Sequence, residues 1–388
     1  MLKRILDELE ERVSPEDQKK IRERHIKALN WETLEKLPLA FTYPIPTDFL
    51  EDRAGRELNP AQVSFEGDSN SLNWIYPPKE AFYNPEKMLI NQLLIGFGSI
   101  YYHNQIRDSL PYTVRANFGT GIISSLFGAE IRFTDDNPPW ASGDKRIEDY
   151  LEVDHLDFKR GICPRVLNRY KFYQEIFENY PKLKRSIAIV SPDLQGPLDV
   201  AEQLAGSRVY TEMIRDPELI ERFLGKISQS IINFAQKVSQ YTNEHLPRNY
   251  SQQHGVVIKG NILIREDSAI NLSPKTYRKH VLPHDEMILK KLGGGGVHFC
   301  GDGRHLVPEM RKSSRIDCLD LGQPEMMDLN EIYQMAKEVK IPVLRARFPA
   351  QELTDPELQQ KFPTGMTLRH SAGSLEEAVR INERYRND

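Results

Sequence analysis

The 388-residue sequence predicts an α/β protein of the (β/α)8 TIM barrel class with an N-terminal helical extension. Three observations carry this prediction. Eight short β-branched or apolar runs recur along the chain, closing on turn residues such as Gly, Pro or Asp. Helical stretches lie between them. No G-x-G-x-x-G turn follows the first run, where a doubly wound fold would place its phosphate loop. The runs are PLAFTYP (38–44), PYTVRAN (111–117), SIAIVSP (186–192), GVVIKGNILIRED (255–267), GGVHFCG (295–301), RIDCLDLGQP (315–324), IPVLRARFP (341–349) and GMTLRHSAG (365–373). Strands alternating with helices imply a parallel sheet, and eight such units imply closure.

The elements follow in order. MLKRILDELEERV places Leu2, Ile5, Leu6, Leu9 and Val13 on one helical face with acids between them. That is an amphipathic surface helix, not the unbroken apolar core of a signal peptide. Residues 1–35 therefore read as helical decoration and 45–100 as an insertion after the first strand. The whole chain, 1–388, reads as one domain. KLKRS (182–186) reads as a solvated turn before a strand. Helices are predicted over 216–242 and 273–293, the second opening on Ser-Pro and closing on Gly293. Two more are predicted over 328–339 and 374–386, each with an Asp or Ser cap.

Composition narrows the function classes. Fifty-two basic against 56 acidic residues give a net charge of −4, with no basic stripe for nucleic acid. The longest apolar run, 88–102, is interrupted by polar residues and glycines and is too short to span a bilayer. Three scattered cysteines, Cys163, Cys300 and Cys318, form no disulfide framework, so a reducing cytoplasm is expected.

In a barrel, working residues project from the C-terminal ends of the strands. Here those ends offer Tyr43, Arg115, Asn117, Ser191, Asp193, Arg265, Glu266, Asp267, His298, Cys300, Asp302, Gln323, Glu325, Arg345, Arg347 and His370. His298 and Cys300 are two apart on one strand, so both side chains face one way and can approach one cation. The competing reading is a small buried thiol beside a hydrogen-bonded histidine. A metal site needs a third ligand: His370 ends the eighth strand at the right height, and Glu325 and Asp302 are further oxygen donors. Cys318 sits mid-strand and reads as structural, and His305 as a surface group or a support behind the ligands. Asp267 is either a general acid/base or substrate anchor, or an ion-pair partner of Arg265. Asp193 stands at the mouth either as a substrate contact or as a turn cap, and Tyr43 either as a substrate hydrogen bond or as packing.

Taken together, LPLAFTYP, the 108–130 stretch DSLPYTVRANFGTGIISSLFGAE, and the longer stretches 191–224, 267–310 and 320–329 resemble the uroporphyrinogen decarboxylase superfamily. Within it they are more similar to the corrinoid-dependent methyltransferases than to the decarboxylases. The resemblance implies the barrel with its cleft at the strand C-termini. It also implies zinc on the H-x-C pair, with a later cysteine as a further ligand, and a corrinoid protein as partner. His298 and Cys300 match the pair. The later cysteine has no match: Ala372 stands near its place, with His370 two residues earlier. The arginine-rich motif of the decarboxylases is also absent after the first strand, and DRAGRE (52–57) lies too far downstream to replace it. Asp108 precedes the second strand roughly where the decarboxylases keep an essential aspartate.

The leading expectation is thus a methyltransferase with zinc on His298, Cys300 and His370. Asp267, Glu325 and Arg345 would act in catalysis. Tyr43, Asn117, Asp193, Gln323 and Arg347 would contact a small-molecule substrate, and a corrinoid (cobalamin) protein would dock on the cleft. Two alternatives stand beside it: a metal-free decarboxylase or lyase of a carboxylated molecule or tetrapyrrole, and a non-catalytic ligand-binding barrel.

Overall fold

The computed structural model describes residues 1–55, 75–94, 100–133, 139–153, 157–243, 245–253 and 255–387. Its centre is a six-stranded parallel sheet in the order β1-β12-β11-β10-β9-β8. Here β1 is Leu39–Thr42, β8 Ile262–Arg265, β9 Gly295–Phe299, β10 Ile316–Leu321, β11 Val343–Ala346 and β12 Met366–Ser371. A second parallel pair joins β2 (Thr113–Arg115) to β5 (Ala188–Val190). Two antiparallel pairs complete the described strands: β3 (Glu130–Arg132) with β4 (Trp140–Ser142), and β6 (Tyr250–Gln253) with β7 (Val256–Lys259). Single backbone hydrogen bonds link the two parallel sheets. Gly196 N donates to Arg265 O at 2.6 Å, and Ser109 N donates to Leu39 O at 2.7 Å.

Each of the eight predicted runs contains one of these parallel strands. The run 255–267 holds two strands rather than one. Gly260, at φ +91°, turns the chain so that β7 pairs back on β6 while β8 enters the central sheet. The strands are almost wholly buried because helices cover the sheet, which explains their unbroken apolar character.

The helices begin where their caps predict. Asp216 accepts from Leu219 N, Ser273 from Thr276 N, and Asp328 from Asn330 N and Glu331 N. The helix predicted over 273–293 is two, Pro274–His280 and Leu282–Leu292, because Pro283 removes a backbone donor at the junction. KLKRS is not a turn. Pro181–Ser186 is helical because Glu10, from the N-terminal helix Leu2–Arg12, takes the free Lys182 and Leu183 N–H groups at 2.8 and 2.9 Å.

The N-terminal extension does more than decorate. In helix Pro15–Leu29, Gln18 bonds Leu110 O and Tyr112 N, and His25 lies 2.8 Å from Ser109 O. These buried polar groups tie the extension to the approach to β2. Leu29 then joins Val256, Val257, Ile258, Leu263, Leu344 and Cys318 in an apolar cluster. Cys318 is fully buried there. The insertion read over 45–100 appears as helices Thr47–Ala54, Pro78–Tyr83 and Pro85–Leu94; residues 56–74 and 95–99 lie outside the described residues. Among the described residues no helix is long and apolar enough to cross a membrane.

Strand alternation turns Glu266 away from the face used by Arg265 and Asp267. It is fully buried, with Oε1 accepting from Leu198 N, and interacts with Asp285 of helix Leu282–Leu292. Burial raises both carboxyls, Asp285 to about 7. A folded-state value above the unfolded one means the native protein holds the proton more tightly. The stabilising effect is full below pH ~4 and is lost as pH rises through about 7, a change of about 2–4 kcal/mol. Urea unfolding across this range is expected to show that loss, and Asp285→Asn to reduce it, Asp199 and Glu266 being raised by burial as well.

Candidate functional site

The site is built on one row of the central sheet. Register places Arg265 of β8 beside His298 of β9, and His298 beside Asp320 of β10. Neighbours in register on parallel strands present side chains to the same face. β9 reaches this row through a glycine run with a packing reason. Gly294 sits at φ +95°, where a Cβ would meet Asp317 Oδ2 at 2.3 Å, and a Cβ on Gly296 would meet Cys318 Sγ at 2.4 Å.

His298 Nδ1 lies 2.7 Å from Oδ2 of Asp320, a carboxylate fully removed from water. Arg345 reaches the same carboxylate, with Nε donating to Oδ1 at 2.7 Å and Nη2 to Oδ2. Burial alone would raise Asp320; the charge of Arg345 and the hydrogen bonds from His298 and Arg345 instead hold it far below the usual carboxylate range. Arg345 lies at φ +56°, a strained conformation for a side chain of this size, where the β11–β12 register shifts between Val343 and Ala346. Its N–H is taken by Thr367 Oγ1 at 3.0 Å. With Nδ1 donating to Asp320, the lone pair of His298 is on Nε2, directed at the mouth.

Three donor groups meet there. Those of Asp267, His298 and Cys300 lie within 4.8 Å of one another. His298 Nε2 is 3.5 Å from Cys300 Sγ and 3.6 Å from Asp267 Oδ1. Ligands of a tetrahedral zinc, bonded at about 2.0–2.3 Å, stand about 3.3–3.8 Å apart, so the two spacings from His298 fit that ion. A Cβ on Gly322 would sit 2.5 Å from Cys300 Sγ and 3.1 Å from His298 Cε1, so glycine keeps the space beside the cluster clear. Burial, then Asp267, pushes the Cys300 thiol up to about 12. Asp267 Oδ1 also accepts from Cys300 N at 2.7 Å, which ties the loop after β8 to the end of β9.

The structure redistributes the other expected residues. His370, expected as third ligand, stands outside the cluster with Nδ1 3.1 Å from Phe348 O. Asp267, expected as an acid/base group, occupies the place given to His370. It does not pair with Arg265, whose Nε lies 2.6 Å from Asp193 Oδ1. Glu325, expected in catalysis, forms an ion pair with Arg347 at 3.2 Å, and Arg347 also donates to Gly322 O. Gln323 accepts from Gly301 N at 2.8 Å. Through these bonds the three tie the loops after β9 and β10 to the end of β11. Tyr43 is buried and packs against Tyr102 and His103, and Asn117 lines a crevice with Asn91 and Gln92. Asp302 is paired with Arg304 at 2.8 Å, and His305 lies 2.9 Å from Leu272 O. Asp108 accepts from Phe41 N and Leu110 N beside His103, a buried brace between β1 and the approach to β2.

Asp320 escaped the sequence reading. Its available signal was a second carboxylate on the strand IDCLDL, near its C-terminal end and two residues beyond Cys318.

No family model and no curated protein sequence matches the chain. Its structure is similar to that of a methyltransferase from Methanosarcina mazei, with a TM-score of 0.62 at 16% sequence identity over 94% of this chain and 98% of that one. At that identity the likeness shows a shared fold.

Removing Asp320 would leave Arg345 buried without its counter-charge. Asp320→Ala is expected to cost about 3–5 kcal/mol in urea unfolding. The loss should be far smaller in Asp320→Ala/Arg345→Met, which removes both charges.

Proposed function

We propose that the chain is a zinc-dependent methyltransferase working with a corrinoid protein, built on a closed eight-stranded barrel in a single domain. The observation that carries this reading is the Asp267–His298–Cys300 cluster, with His298 held by Asp320. Barrel closure is supported by the backbone bonds from Gly196 to Arg265 and from Ser109 to Leu39, which join the edges of the two parallel sheets. The shared fold with a protein named as a methyltransferase supports the reaction class.

The donor set is one nitrogen, one sulfur and one oxygen. Three protein ligands leave a fourth position open, the pattern of a catalytic site rather than a structural one. When bound, zinc would supply Lewis-acid activation of a thiol or of a methyl donor at that position. The chain's own contribution is positional. Asp320 fixes the tautomer and ring plane of His298, and Arg345 keeps Asp320 ionised. Asp267 holds the Cys300 backbone, and its side chain is 41% exposed, so the cluster opens to solvent. The corrinoid protein would dock on that open side. A cytoplasmic location accords with free cysteines throughout the chain.

Metal analysis tests the reading and separates the two candidate third ligands. The protein as purified is expected to hold about one equivalent of zinc, lost in His298→Ala/Cys300→Ser. Asp267→Asn should weaken retention, and His370→Ala should leave it unchanged. Asp320→Asn is expected to lower zinc affinity about 10–100-fold in chelator competition. Absence of zinc from the wild-type chain after reconstitution would favour the metal-free lyase reading.

A further inference from the structure

Beside the metal-ligand cluster lies a charge arrangement that the methyl-transfer reading does not use. Arg115 at the end of β2 and Arg265 at the end of β8 share one carboxylate, Asp193. Arg115 Nη1 lies 2.5 Å from Oδ2 and Arg265 Nε 2.6 Å from Oδ1. Both guanidinium side chains are only 8% exposed. Within this trio, cations outnumber anions by one. Nη2 of Arg265 is buried and has no hydrogen-bond partner.

A buried guanidinium donor without an acceptor costs free energy that the fold does not recover. The next carboxylate on the same strand face, Asp267, is turned to Cys300 and His298 instead, and Glu266 points the other way to Leu198 N. Arg265 stands in register with His298, on the face that carries the cluster, and its charge is felt by the Cys300 thiol. Adjacent strands are about 4.8 Å apart, so one small molecule can reach from Arg265 to the cluster.

We infer that Arg265, backed by Arg115 and Asp193, is a binding site for the oxyanion group of a small substrate, a carboxylate in preference to a larger phosphorus oxyanion. A carboxylate has the flat two-oxygen shape that a guanidinium edge accepts. As an assignment of the methyl-transfer substrate, this rests on the preceding reading; as an anion site, it does not.

The probe is propionate, with propionamide as its neutral isostere, methylphosphonate as the alternative oxyanion and chloride at matched ionic strength. Thermal unfolding of the full chain is expected to shift upward by several degrees, saturably, with propionate and not with propionamide. Arg265→Gln, which leaves Asp193 paired with Arg115, should unfold no earlier than wild type without anion and should lose the response. The response should persist in His298→Ala/Cys300→Ser, so failure of the zinc reading leaves it intact. A response lost in that double variant but kept in Arg265→Gln would put the carboxylate on the metal and overturn the inference. So would equal shifts with propionamide, or none with any anion. A stronger response to methylphosphonate than to propionate would overturn the carboxylate assignment. If Arg265→Gln fails to fold, saturation-transfer NMR of propionate on the wild-type and His298→Ala/Cys300→Ser chains replaces it. Saturable signal in both supports the site, and its absence from either overturns it.

Discussion

The Asp320 carboxylate, fully buried between His298 and Arg345, is the constraint on which the rest of the site depends. A lone carboxylate at that depth would take up a proton or unfold its surroundings. It stays ionised because two donors reach it from the flanking strands, and each is itself positioned at some cost. Arg345 arrives through a strained backbone at φ +56° and a register shift in β11. His298 arrives on a strand whose entry admits only glycines where Asp317 and Cys318 press against it. Strain of this kind persists where the surroundings over-determine it, as the Asp320 contacts do here. The outcome is one imidazole with a single available lone pair, held in one orientation.

How much of this was legible in the sequence depended on the range of the interaction. The H-x-C pair was readable because its geometry is local: two residues apart on a strand is enough to bring imidazole and thiol to one side. The eight strand runs were readable for the same reason, since apolar runs and turn residues are local signals. Asp320 was not, because β10 is buried on both faces and the alternation that marks a special inward position is erased. Its partnership with His298 is a matter of inter-strand register, which no single strand records. Asp267 was placed at the mouth with two readings left open, an acid/base group or a partner of Arg265. Proximity in sequence could not choose between them, and the three-dimensional arrangement gave Arg265 to Asp193 and Asp267 to Cys300. KLKRS failed similarly, because its cap, Glu10, lies far away in the chain.

Several strand-end polar residues turn out to serve the loops. Glu325 and Arg347 neutralise one another at the rim, and Gln323 clamps the loop after β9 to the loop after β10. A strand end rich in charge is therefore a weak guide to chemistry, since loops over a sheet must satisfy their own backbone groups. The donor atoms brought within 4.8 Å of one another belong to Asp267, His298 and Cys300, a narrower set than the sequence inventory, with Arg265 beside His298 in register.

Charge accounting binds these parts together. A dication on the cluster would be balanced by its own ligands, the Asp267 carboxylate and the Cys300 thiolate, with neutral His298 between them. Arg345 and Asp320 balance one another a layer behind. Neither pair has charge to spare for Arg265, whose Nη2 faces no acceptor within the described protein. The Asp267–His298–Cys300 cluster and Arg265 share one row of the sheet, and the charge of Arg265 is felt at the Cys300 thiol. Arg265 keeps its pairing with Asp193 in either case; a neutral substrate would leave its Nη2 without an acceptor, and an anionic one would supply that acceptor. This is why the missing negative charge is assigned to the substrate rather than to the protein or the metal.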